Sequence, residues 1–142
     1  MRVDTALLCG AATARDGLLS VLDGGVTQIE RPEYPAPMGL TLAMRVLVHP
    51  TEMAHPHKLE VLLQDEDGQQ ITKVDIGVGI SDQSVVPPGD EASLAIPWNF
   101  PGQPVLPHAG RYSFEILIDG VHQVSVPLRA TVVDTQQGGE QE

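Results

Sequence analysis

The chain has 142 residues, 42% of them apolar, with 12 prolines, 14 glycines and a single cysteine; this is the composition of one globular domain, neither disordered nor fibrous. Its 19 acidic residues outnumber 8 basic ones, for a formal net charge of −11, which argues against nucleic acid and anionic membrane as partners because both are bound by neutralising phosphate. No run nears the ~20 apolar residues of a membrane-spanning helix, and one cysteine allows no intrachain disulfide, which fits a reducing, cytoplasmic setting.

Taken in chain order, Val3, Thr5 and Leu7 alternate with polar or small neighbours, the period of two that marks a strand. Ala6-Leu7-Leu8-Cys9-Gly10 and Ala12-Thr13-Ala14 have the outline of a secretory or lipoprotein leader, but one arginine, an early Asp4 and a short apolar run do not make a signal core. Residues 18–22 form a second apolar segment, ended by Asp23-Gly24-Gly25, and residues 26–30 a third. The glycines predict a tight hairpin between them. Pro32, Pro35 and Pro37 surround Tyr34; proline lacks the amide a ladder needs, so this run is expected to cross as a loop.

The longest strand is predicted at Leu40 to His49, with Leu40, Leu42, Met44, Val46 and Val48 on one face, and Pro50 stops it. Leu59, Val61 and Leu63 alternate next, and Asp65-Glu66-Asp67-Gly68 turns the chain into Ile71 to Val78. Gly77-Val78-Gly79 suggests a bulge or a close approach. Residues 81–91 are polar and hold Pro87-Pro88-Gly89, a loop. Ala92, Leu94 and Ile96 give a short strand, followed by the proline-bracketed Trp98-Asn99-Phe100. Tyr112, Phe114, Ile116 and Ile118 lead to Asp119-Gly120, then Val124, Val126 and Leu128; Asp-Gly between alternating runs is a strong hairpin signal. Pro127 marks that last strand as an edge. The polar tail, residues 135–142, is expected to be disordered.

This gives an all-β fold of about eight or nine strands and no helix. Antiparallel strands with one polar face must bury their apolar faces together, so residues 1–134 are expected to form an immunoglobulin-like β-sandwich. Tyr112, opening the penultimate strand just after Gly110, matches the tyrosine corner of such domains, and Phe114 stands where secreted members carry a cysteine.

The segments Arg2-Val3-Asp4-Thr5-Ala6-Leu7-Leu8, Gly17-Leu18-Leu19-Ser20-Val21-Leu22, Leu59-Glu60-Val61 with Asp65-Glu66-Asp67-Gly68, and the run from Pro107 through Gly120 with Val126-Pro127-Leu128 resemble the bacterial domain-of-unknown-function family numbered 6941. The resemblance covers nearly the whole chain apart from the tail. It implies a bacterial source and a compact sandwich, and no activity, with a departure at Trp98 and Phe100, where the family is usually aliphatic.

Little in the chain carries chemistry. His49, His55 and His57 cluster around Glu52, the ligand types zinc takes, but their spacing suits a surface loop better than a metal site, and no metal or cofactor is expected. The Asp65 turn lacks the alternating twelve-residue ligand pattern of a calcium hand. Cys9 ends an apolar strand and should be an inert buried thiol. His108 and His122 are expected to be isolated and exposed. No serine sits in a nucleophile elbow and no glycine loop precedes a helix. Tyr34, Trp98 and Phe100 lie in proline-rich loops and are candidate anchors for a partner, the alternative being that they cap the core. The expected function is a non-enzymatic protein-binding or adaptor module of the bacterial cytoplasm; the alternative is a structural subunit of a homo-oligomer or larger assembly.

Overall fold

A computed structural model describes residues 1–52, 55–78, 89–99 and 104–133. They form an all-β structure: β1 Arg2–Cys9, β2 Ala11–Arg15, β3 Leu18–Leu22, β4 Gln28–Arg31, β5 Ala36–Pro37, β6 Thr41–Val48, β7 His57–Asp65, β8 Gln70–Val78, β9 Ala92–Asn99, β10 Val105–Leu106, β11 Gly110–Ile118 and β12 Val121–Val132. A 3₁₀ turn, Pro50–Glu52, follows β6. The expected tail lies outside the described residues, as do Phe100 and most of the expected loop at residues 81–91.

Two sheets face one core. One has three strands in the order β1-β6-β9, the other five in the order β4-β12-β11-β7-β8. The alternation seen in the sequence builds the five-stranded face directly. Phe114 lies opposite Leu63, Ile116 opposite Val61, and Ile118 opposite Leu59, and all six are buried. From the facing sheet, Leu42, Met44, Val46 and Val48 of β6 join the same core. Each such side chain contributes about 1.5–3 kcal/mol by leaving water. The β11–β12 hairpin turns on Asp119 and Gly120, with φ of 50° and 80°, the paired positive values a two-residue hairpin requires.

The proline-rich run crosses between the sheets. It leaves β4 in the five-stranded sheet and delivers β6 to the three-stranded one, pairing on the way as β5 with β10. Arg31 clamps the crossing: its guanidinium donates to the carbonyls of Glu30 (2.8 Å), Pro37 (3.2 Å) and Met38 (2.6 Å).

Several expectations need correction. Residues 18–22 do not pair with 26–30; β3 pairs back onto β2, Ala11↔Leu22 through Arg15↔Leu18. The turn is Asp16-Gly17, with φ of 53° and 74°, whose twist suits a two-residue hairpin. Gly25 and Val26 instead both donate their amides to the Leu8 carbonyl at 2.9 Å, and β4 joins β12 in parallel, Gln28↔Arg129 to Arg31↔Val132. The longest described strand is β12, not β6. Gly77 sits in unbroken register opposite Lys58, and the irregularity in that strand pair falls between Leu63 and Gln64. β12 is not the edge of its sheet, because β4 lies outside it; among the described residues β4 pairs with β12 over Arg129 to Val132, and Pro127 falls just before that stretch.

Candidate functional site

The sheet neighbours of β1 and β2 differ although only Gly10 separates them. β1 pairs with β6, whereas β2 pairs with β3 in a separate two-stranded sheet. The β2–β3 hairpin therefore packs on the outer face of the three-stranded sheet. Its inward side makes a small second core of Cys9, Ala12 and Ala43, with Leu7 and Leu19 against it. The alanines allow the close approach. Cys9 is fully buried, burial pushes its thiol pKa up, and its Sγ contacts the Thr41 carbonyl at 3.4 Å. A thiol held protonated is a poor nucleophile.

The outward side of the hairpin carries Leu18, 70% exposed, and Leu22, 65% exposed; Val21, opposite Ala12, lies on the inward side with Leu19 and is 38% exposed. Beneath β3 runs a groove of about 890 Å³, lined by Thr5, Leu7, Leu18, Val21, Arg45 and Ser93. Arg45 is pinned there by Asp4, its Nε donating to Oδ1 at 2.9 Å. Among the described residues β3 has a strand on one side only, and residues 18–22 contain no charge and no proline. Edge strands are normally protected by charge, proline or a bulge, since a bare row of amides and carbonyls invites another strand. An uncharged, leucine-rich edge beside a groove is what strand-adding recognition uses.

The histidines do not gather into a metal site. His49 Nδ1 lies 2.8 Å from the Thr51 hydroxyl, and His55 is exposed. Among the described residues no three His, Cys, Asp or Glu side chains are placed to hold a metal. His57 bridges two elements: Nδ1 meets Asp119 Oδ2 at 2.6 Å and Nε2 meets the Glu52 carbonyl at 3.0 Å. Both partners only accept, so the doubly protonated ring satisfies both. The Asp119 hydrogen bond, then the Glu52 carbonyl, raise the His57 pKa. In turn His57, then the Lys58 amide, hold the Asp119 carboxyl below its ordinary value.

The link has a pH signature. A raised histidine stabilises the fold fully below its unfolded value of about 6.5 and stops doing so as pH rises through the folded value. A lowered aspartate contributes above its unfolded value of about 3.9 and stops as pH falls through the folded one. The contribution is therefore full between about pH 4 and 6.5 and fades as pH rises from there through the folded histidine value. Thermal midpoints measured against pH should show that fade in the native chain and not in His57→Gln; equal slopes would detach it from His57.

His122 and His108 are not isolated. His122 Nε2 meets Glu115 Oε2 at 2.6 Å and the Ser125 hydroxyl at 3.1 Å, and Ser113 and Ser125 both donate to Glu115. Burial alone would raise the Glu115 carboxyl, but these hydrogen bonds outweigh it and hold it low. A serine, histidine and glutamate thus meet, yet in the wrong order for nucleophilic activation. Ser125 and the acid share one ring nitrogen, whereas a relay needs the base to touch them through different nitrogens. His108 stacks on Tyr112 with ring centroids 5.7 Å apart, and the Tyr112 hydroxyl donates to the His108 carbonyl at 2.6 Å.

The loop-aromatic expectation is corrected at Trp98. It lies inside β9 opposite Leu42, is 8% exposed and belongs to the main core. Tyr34 does lie in the proline-rich crossing, but its ring is half-buried against that core and its hydroxyl donates to the Thr131 carbonyl at 2.8 Å. The sequence reading missed the β3 edge. The signal was present: Asp16-Gly17 is the same dipeptide that identified the last hairpin.

No curated protein matches this chain. The model of DUF6941, a family of unknown function, matches residues 4–131. That span takes in both principal sheets and the β2–β3 hairpin, and the chain belongs to this family.

Proposed function

We propose that this protein is a non-enzymatic binding module of the bacterial cytoplasm, an immunoglobulin-like sandwich that engages protein through the β3 edge. The observation that carries it is the bare Leu18–Leu22 strand beside its groove. A partner offering an extended apolar segment would gain main-chain hydrogen bonds along the edge and leucine contacts over it. The acidic charge favours a protein partner over nucleic acid or anionic lipid. Support for the immunoglobulin-like reading comes from Tyr112, whose hydroxyl reaches back four residues to the His108 carbonyl at the start of β11, as in a tyrosine corner. The non-enzymatic reading draws on the histidine geometry: His122 lacks relay order, and both nitrogens of His57 are committed to acceptors that tie strands together.

The test is affinity capture from the native cytoplasm, with the chain as found and with Leu18→Lys/Leu22→Lys. A stoichiometric partner that is lost with the double substitution supports the reading. A partner retained equally by both moves the binding surface elsewhere.

A further inference from the structure

We infer that the occupant of the β3 edge is a second copy of the same chain, paired β3 to β3 in antiparallel fashion about a twofold axis at Ser20. The inference rests on β3 being the docking edge, and it names the partner.

The register follows from the hairpin. A two-residue turn at Asp16-Gly17 makes its flanking pair, Arg15↔Leu18, hydrogen-bonded. Alternation then points the amide and carbonyl of Leu18, Ser20 and Leu22 inward to β2, and those of Leu19 and Val21 outward to the free edge. With the axis at Ser20, Leu19 falls opposite Val21 of the second copy, and Val21 opposite its Leu19. Every outward group then meets an outward group, closing both hydrogen-bonded pairs.

The side chains agree with this register. Residues 18–22 read Leu-Leu-Ser-Val-Leu, which is nearly the same in both directions. An isologous contact requires such a pattern, because each residue must suit its mirror position. Leu18 falls opposite Leu22 of the second copy, twice over, in the closer, non-hydrogen-bonded type of pair. These are the two most exposed large apolar side chains of the hairpin. The charges fit as well. Asp16 falls opposite Gly24 of the second copy, and Asp23 opposite its Gly17, so no carboxylate faces another although each chain carries −11. The product is a continuous four-stranded sheet, β2-β3 and its symmetry mate. A two-stranded ribbon is marginal by itself and gains from added strands.

The test is sedimentation of the intact chain at micromolar concentration, with two charged variants. The native chain should run at twice its 15.2 kDa. Leu18→Lys/Leu22→Lys and Leu18→Asp/Leu22→Asp should each run as monomers, because each sets like charges opposite. An equimolar mixture of the two should return to the dimer mass. Circular dichroism spectra matching the native chain establish that the variants fold. Ser20→Cys gives an independent measure: oxidation should produce a covalent dimer, which Thr13→Cys on β2 should not. A monomeric native chain, a dimer that both charged variants retain, or a mixture that stays monomeric would overturn the inference. If the native chain is monomeric but still captures another protein through Leu18 and Leu22, self-pairing fails and the β3 binding reading stands.

Discussion

Trp98→Ala is expected to destabilise the protein by about 3–5 kcal/mol, the usual cost of emptying a large aromatic site in a core. The indole lies in β9, across from Leu42, where the three-stranded sheet meets the main core. Its neighbours are held by two strand ladders and cannot collapse into the space, which places the cost in the upper part of that range. Domains have only about 5–15 kcal/mol in total, so the thermal midpoint should fall by roughly 10 °C or more. As the only tryptophan in the chain, Trp98 also reports on itself: its native emission should be blue-shifted and should move to the red on unfolding. The substitution should leave self-association through β3 intact wherever the protein is still folded. An unchanged midpoint together with lost association would return Trp98 to the surface.

Asp65→Ala is expected to cost about 2 kcal/mol, a larger loss than an acidic turn residue usually gives. Asp65 ends β7 and is 5% exposed. Its Oδ1 accepts the amides of Asp67 at 3.0 Å and Gln69 at 2.8 Å, while its carbonyl accepts the Gly68 amide at 3.0 Å. The carboxylate thus organises the turn from inside, so that Glu66 and Asp67 can stay in water. Alanine removes the acceptor for two amides at once. Asparagine keeps one oxygen there, so Asp65→Asn should lose less. Urea titration should show a lower midpoint at an unchanged m-value, in the order native, asparagine, alanine. Equal stability of all three would mean that water replaces the side chain at no cost.

The sequence by itself determined the strands whose information is local. Tyr112, Phe114, Ile116 and Ile118 alternate strictly and end in Asp119-Gly120, so both the face and the turn were legible, and β11 and β12 lie as expected. The same holds for Leu59, Val61 and Leu63 and for the core face of β6. Period-two burial and positive-φ turns are set within a few residues, and a chain reader has those residues in view.

What only the tertiary structure decided is which strand meets which, and what covers each face. Residues 18–22 could have paired forward over Asp23-Gly24-Gly25 or backward over Asp16-Gly17; the amides of Gly25 and Val26 settle it by bonding to Leu8. β2, three alanines with Thr13 and Arg15, has too little apolar contrast to announce itself as a strand. β4 finds its partner about a hundred residues away, through a parallel ladder that no local pattern encodes. Trp98 sits between prolines, which reads as a loop, yet cross-strand pairing with β6 draws it into the core. Asp65 is buried because Tyr112 of the neighbouring strand lies opposite it. Leu18 and Leu22 look in sequence like any other core leucines. They are exposed because the hairpin that carries them already spends its other face on Cys9, Ala12 and Ala43, and among the described residues no third element covers the two-stranded ribbon.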